Sequence, residues 1–109
     1  MGQLDRFKLD GKVALVGGGG GAIGSAMAVA LAEAGAKVAV TDISQELVDA
    51  TKAKVEAAGG ECLAVAGDMT QRDEADAVVD EVVNHLASLD IMVNAIGGGA
   101  GKVLFEAQD

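Results

Sequence analysis

The 109-residue sequence contains no proline, tryptophan or tyrosine, and Phe7 and Phe105 are its only aromatic residues. Its core must therefore be aliphatic, which suits a buried parallel sheet covered by closely packed helices. The single cysteine, Cys62, excludes an intrachain disulfide and is predicted to be a small apolar residue of a strand. With one histidine and no clustered cysteines, no metal site is predicted.

Basic residues are also scarce, since eight Lys and Arg stand against 17 Asp and Glu and give a net charge of −9. Nucleic acids and anionic membranes are bound through clustered cations, so neither is expected as a partner. No uncharged apolar stretch reaches the ~18 residues of a membrane span. Residues 1–12 lack the apolar region of a signal peptide. A single cytoplasmic domain over residues 1–109 is predicted.

Glycine, in contrast, is abundant, and its densest run organises the chain. The stretch VALVGGGGGAIG, residues 13–24, has the pattern of a buried strand, a tight turn and the start of a helix. Glycines leave no Cβ to hold a ligand off the backbone, and the N–H groups at a helix start favour an anion. Gly19, Gly21 and Gly24 satisfy G-x-G-x-x-G. The stretch predicts a diphosphate cradle, and the alternative is a glycine-rich turn that binds nothing.

Asp42 ends the next apolar run, 18 residues after Gly24, where a dinucleotide-binding fold places the acid that binds the adenosine ribose. A carboxylate there accepts hydrogen bonds from the ribose hydroxyls of NAD and repels the 2′-phosphate of NADP. No Arg or Lys lies in the glycine loop or directly after Asp42 to neutralise that phosphate. NAD is therefore the predicted cofactor. The alternative role for Asp42 is a helix cap, because Ser44 follows.

Alternating strand and helix patterns predict a three-layer, Rossmann-like doubly wound parallel sheet of order 3-2-1-4 with right-handed crossovers. Strands are predicted at residues 12–16, 37–41, 61–66 and 90–95. Helices are predicted over residues 22–34, from a Ser44 cap to about residue 58, and after a Thr70–Asp73 capping box. The side chains expected to face the sheet are Ile23, Met27 and Leu31, then Leu47, Thr51, Val55 and Ala58, then Ala75, Val78, Val79, Val82, Val83 and Leu86.

Four segments, LDGKVALVGGGGGAIG, VTDIS, AGDMT and LDIMVNAIGGG, resemble successive landmarks of the short-chain dehydrogenase/reductase family over nearly the whole chain. The family motif T-G-x-x-x-[GA]-x-G maps onto residues 17–24, with Gly17 in place of threonine. The motif N-N-A-G maps onto residues 94–97, with Ala95 in place of the second asparagine. These motifs lie side by side in the family and hydrogen-bond, so a looser turn is expected here.

The resemblance implies that this chain is the NAD(H)-binding portion of an oxidoreductase that acts on an alcohol/carbonyl pair. In the family, the aspartate at the place of Asp68 bonds the adenine amino group, and the second glycine-rich loop lies against the nicotinamide-side ribose. From the sequence alone Asp68 could equally be a turn residue. The cofactor-binding residues that follow are Gly18, Gly20, Gly21, Ala22, Ile23, Gly24, Asp42, Ile43, Asp68, Met69, Asn94, Ala95 and Gly97.

The catalytic serine and the Tyr-x-x-x-Lys pair of the family would lie farther along than residue 109. Without a tyrosine, these residues have no acid/base for the family's hydride transfer, so the chain as written is expected to bind and not to catalyse. The alternative function is a stand-alone nucleotide-binding or assembly module. The substrate stays open, and so does the oligomeric state, a homo-oligomer included.

Overall fold

The computed structural model describes residues 9–95 and the backbone of residues 104–107. The strands are β1 (Val13–Gly17), β2 (Lys37–Asp42), β3 (Cys62–Ala66), β4 (Ile91–Asn94) and β5 (Leu104–Ala107). The helices are α1 (Ala22–Glu33), α2 (Gln45–Ala57) and α3 (Arg72–Leu86). The sheet has the order β3-β2-β1-β4-β5, and its first four strands are parallel. The predicted fold class and strand order, 3-2-1-4, are confirmed.

The fifth strand, β5, has no counterpart in the prediction. It pairs antiparallel with β4, so that Ile91 lies opposite Ala107 and Asn94 opposite Leu104. The sequence predicts no strand over residues 102–109, because KVLFEAQD contains one short apolar run with no turn signal after it to mark the end of a strand. The predicted second glycine-rich loop, with Gly97, lies outside the described residues.

The central strand β1 is buried on both faces, and its alternating side chains enter two separate hydrophobic clusters. Ala14 and Val16 pack in one cluster with residues of α1 and α2, whereas Val13 and Leu15 pack in the other with residues of α3. This two-sided burial explains the continuous apolar run VALV. It also gives the three layers that the sequence predicts.

Two of the predicted helix faces are rotated relative to those observed. In α1, Ile23 is 50% exposed, and the buried stripe runs through Gly24, Ala28 and Leu31. The small residues of that stripe allow a close approach to the glycine turn, and this contact sets the rotation of the helix. The predicted burial of Ile23 is wrong.

In α2 the buried stripe is Val48, Thr51 and Val55, at the helical spacing i, i+3, i+7. The predicted burial of Leu47 and Ala58 is wrong, because Leu47 is 46% exposed and Ala58 is an exposed residue just past the helix end. The predicted Ser44 cap is confirmed, since the Leu47 N–H donates to Ser44 Oγ at 3.3 Å. Leu47 is therefore a residue of the capped first turn.

The start of α3 differs from the prediction. Gln71 is the N-cap and makes no side-chain capping bond, because Thr70 belongs to the turn that precedes the helix. Val78, Val82 and Leu86 are buried as predicted, whereas Val83 is exposed. No helix in the described part of the chain has the length and apolarity needed to cross a bilayer.

Cys62 opens β3 and is 7% exposed, packed in the cluster between the sheet and the helices α1 and α2. Burial raises the pKa of its thiol to about 11, and the nearby Glu56 carboxylate adds to the rise. The predicted role as a small apolar strand residue is confirmed.

We expect Cys62 to be inert toward thiol reagents while the protein is folded. At pH 8 the raised pKa lowers its thiolate fraction by roughly two orders of magnitude relative to a free cysteine. The measurement is the labelling rate with a chromogenic disulfide, in buffer and in guanidinium chloride. Equal rates in the folded and unfolded protein would contradict the burial of the thiol.

Candidate functional site

The turn between β1 and α1 is built from glycines that meet different requirements. Gly18 has a φ of +75°, which an L side chain rarely adopts, and its carbonyl accepts the Gly21 N–H at 3.2 Å. Gly21 is the N-cap of α1 and caps no N–H group with a side chain. The first turn of α1 also contains no acidic residue. The amide donors and positive dipole end of α1 are therefore available to an anion.

Three further glycines are needed for packing. A Cβ at Gly24 would overlap the Gly18 carbonyl oxygen, so Gly24 lets α1 lie against the turn. A Cβ at Gly19 would come within 2.7 Å of Val40 Cβ, and one at Gly20 within 2.5 Å of Leu47 Cβ. The turn is thus pressed against β2 and α2, a position that only a bare backbone can take.

Gly24→Ala should destabilise the protein because the new methyl group meets backbone, whereas Gly21→Ala should be tolerated. The Gly21 Cβ would have Gly18 O, at 3.6 Å, as its nearest neighbour. Overpacking of this kind costs about 1–3 kcal/mol in the free energy of unfolding. Urea unfolding of the two variants measures the difference, and equal stabilities would show that α1 does not rest on Gly18.

Asp42 lies at the carboxyl end of β2, directly beside the glycine turn. Its Oδ2 accepts the Gly20 N–H at 3.0 Å, and its Oδ1 accepts the Ile43 N–H at 2.8 Å. The alternative role as a helix cap is wrong, because Ser44 caps α2. The structure therefore brings the predicted ribose-binding acid and the predicted diphosphate cradle into direct contact. No sequence signal predicts the bond to Gly20, since it depends on how the turn folds back on β2.

A cavity of about 160 Å³ opens next to this contact. It is lined by Gly18, Thr41, Asp42, Ile43, Gly67, Asp68, Met69 and Thr70. Five of these residues are predicted cofactor ligands, and they come from three separate segments of the sequence: Gly18, Asp42, Ile43, Asp68 and Met69. Thr41, Gly67 and Thr70 were missed. For Thr41 the signal was a polar residue inside a buried strand, and among the described residues its hydroxyl has no hydrogen-bond partner.

Asp68 closes the turn between β3 and α3. Its Oδ1 accepts both the N–H and the hydroxyl of Thr70, at 2.9 and 2.5 Å, and its own N–H donates to Glu74 Oε1. The Thr70 hydroxyl, with the Thr70 N–H second, holds the pKa of the Asp68 carboxyl below its ordinary value. The turn role is confirmed, and the adenine role stays a prediction.

Thr70→Val should raise the pKa of Asp68 toward its ordinary value, because the variant keeps the backbone bond and loses the hydroxyl. A lowered pKa in the folded state means that the stabilising effect is complete above the ordinary value and is lost as the pH falls through the folded pKa. A carboxyl NMR titration measures the shift. Thr70→Ser, which retains the hydroxyl, is the control, and identical titrations of Asp68 in both variants would contradict the assignment.

The last predicted segment lies at the carboxyl end of β4. Asn94 pairs in register with Gly17, and the Ala95 N–H donates to the Gly17 carbonyl at 2.8 Å. The two positions that depart from the family motifs are thus neighbours, as expected, and a backbone bond joins them. The looser turn expected from the departures stays a prediction. Ala22 and Ile23 open α1 beside the same edge. Within residues 9–95, no three His, Cys, Asp or Glu side chains are grouped to hold a metal ion.

A doubly wound parallel sheet with a glycine turn after its central strand and an acid after the next is the architecture of a dinucleotide-binding domain. The sequence model of the short chain dehydrogenase family matches residues 12–109. The chain belongs to that family.

Similar proteins include the 7α-hydroxysteroid dehydrogenase of Escherichia coli K12, 37% identical over 102 residues, with 94% of this chain and 40% of that protein covered. General stress protein 39 of Bacillus subtilis is 42% identical over 91 residues, which are 83% of this chain and 32% of that protein. The chain spans about two-fifths or less of the length of these relatives.

Solved structures agree with this fold. A hydroxysteroid dehydrogenase from Escherichia coli superposes with a TM-score of 0.82 at 38% identity, covering 87% of this chain and 41% of that one. A 7α-hydroxysteroid dehydrogenase complexed with NADH and 7-oxo glycochenodeoxycholic acid gives a TM-score of 0.82 at 36% identity, covering 87% and 38%. An NAD⁺-bound xylitol dehydrogenase gives 0.75 at 36% identity, covering 78% and 33%.

Proposed function

We propose that this chain is the NAD(H)-binding portion of an oxidoreductase that interconverts an alcohol and a carbonyl compound. The observation that carries the proposal is the contact between Asp42 Oδ2 and the Gly20 N–H, at 3.0 Å, because it joins the residue predicted to bind ribose to the turn predicted to bind a diphosphate. Two similar proteins were solved with NADH or NAD⁺ bound. Residues 1–109 contain no tyrosine, so the family's acid/base is not among them.

The residues present fit a dinucleotide along the carboxyl edge of the sheet. The N–H groups around Gly18 and at the start of α1, with Gly20, Gly21, Ala22, Ile23 and Gly24 forming the turn, would hold the diphosphate. Asp42 would accept the adenosine ribose hydroxyls, with Ile43 beside it. When bound, the nicotinamide supplies or accepts the hydride of the reaction.

The remaining predicted ligands would contact the two ends of the cofactor. Asp68 and Met69 line the same cavity as Asp42 and would hold the adenine. Asn94 ends β4 and Ala95 follows it, and both would lie toward the nicotinamide-side ribose. Gly97, outside the described residues, is proposed as a further ligand of that ribose. A stand-alone nucleotide-binding module, the alternative, is not favoured, since several relatives are named dehydrogenases or reductases.

NAD is the proposed cofactor in preference to NADP. Asp42 would place its carboxylate against the 2′ position of the ribose, and the eight residues that line the adjoining cavity include no Lys or Arg. A 2′-phosphate there would face a like charge without a counterion, an arrangement that costs several kcal/mol.

Calorimetric titration of the purified protein should show saturable NADH binding that is at least about tenfold tighter than NADPH binding. Asp42→Ala should abolish this preference. Asp42→Asn should also reduce it while keeping an oxygen that can accept the Gly20 N–H, so it separates the effect of charge from that of the tether. Absence of NADH binding by folded wild-type protein would overturn the proposed function. A preference unchanged in both variants would remove Asp42 from the ribose site.

A further inference from the structure

The peptide unit between Gly19 and Gly20 is held from both sides. Its carbonyl oxygen, on Gly19, accepts a hydrogen bond from Thr51 Oγ1 at 2.7 Å. Its N–H, on Gly20, donates to Asp42 Oδ2 at 3.0 Å. Because the two groups of a trans peptide point in opposite directions, one bond reaches α2 and the other reaches the end of β2.

Thr51 is placed unusually for a helical threonine. A threonine hydroxyl within a helix commonly bonds a carbonyl of the preceding turn, whereas this one reaches a residue 32 positions away. Thr51 is 2% exposed and lies on the buried stripe of α2 between Val48 and Val55. The bond is therefore shielded from water and shared with no other described group.

A link between two glycines is the least restrained in a polypeptide, because neither residue has a side chain to limit φ and ψ. If the Gly19 carbonyl lost its partner, this peptide would be restrained from one side alone, by the bond from the Gly20 N–H to Asp42 Oδ2. The glycine turn could then adopt backbone conformations other than the observed one. The hydroxyl of Thr51 therefore restrains the turn before any ligand arrives.

We propose that Thr51 is a positioning residue for dinucleotide binding, acting through the Gly19 carbonyl to hold the diphosphate loop in its binding conformation. This inference rests on the proposed function. It gives α2, which contributes no predicted cofactor ligand, a direct effect on affinity.

The test compares two substitutions at one position. Thr51→Val keeps the shape and removes the donor, and should weaken NADH binding about three- to tenfold, the range of one neutral hydrogen bond. Thr51→Ser keeps the donor and should bind within about twofold of wild type. Val55→Ala is the control for stability, since it removes buried volume one turn along the same stripe and leaves the bond from Thr51 to Gly19 in place.

Hydrogen exchange of the unliganded protein supplies a readout independent of the nucleotide. The Gly20 and Gly21 amides should exchange faster in Thr51→Val than in wild type or Val55→Ala, while the amides of β1 stay unchanged. Normal NADH affinity in folded Thr51→Val would overturn the proposal, as would equal losses in Thr51→Val and Val55→Ala. A wild-type protein that binds no nucleotide would overturn the proposed function and the positioning role with it, even with faster exchange in the variant.

Discussion

The site depends on the register in which β1 pairs with its two parallel neighbours. Gly17, the last residue of β1, lies opposite Thr41 of β2 and Asn94 of β4. Because parallel strands end at the same edge, this single register places Gly18, Asp42 and Ala95 together although they come from distant parts of the sequence. A one-residue slip of β2 would move Asp42 away from Gly20 and would also exchange the two faces of the strand, so that Val38 and Val40 would enter the cluster on the α3 side in place of Ala39.

Acidic side chains at this edge are absent from the one helix start that follows the glycine turn. The helices α1, α2 and α3 all begin at the carboxyl end of the sheet, and two of them have acids in their first turns, Glu46 in α2 and Asp73 and Glu74 in α3. Only the first turn of α1, the one that follows the glycines, has none. In a chain with a net charge of −9, an anion can therefore be held by backbone N–H groups without a lysine or arginine.

The sequence predicted the features that follow from local periodicity. The capping serine Ser44 and the position of Asp42 at the end of β2 are correct, because each depends on a short pattern. The strand order is correct because alternating strands and helices with right-handed crossovers allow few arrangements of the sheet. The predicted buried faces of α1 and α2 are rotated relative to the observed ones, because contact with the glycine turn, and not hydrophobicity, determines where Gly24 and Leu47 lie. The bond from Thr51 to Gly19 joins residues 32 positions apart, and no spacing rule marks it.

The departures at Gly17 and Ala95 bear on how the turn keeps its shape. Gly17 has no side chain with which to bond β4, and its carbonyl accepts the Ala95 N–H as a continuation of the backbone pairing between β1 and β4. On the other side, three hydrogen bonds fix the turn: Gly19 N–H to the Thr41 carbonyl at 2.9 Å, Gly20 N–H to Asp42, and Thr51 to the Gly19 carbonyl. These three bonds restrain the loop from β2 and α2. Under the proposed function, the Asp42 carboxylate would contact the adenosine ribose and also restrain the neighbouring diphosphate loop, so one side chain would serve two adjacent parts of the dinucleotide site.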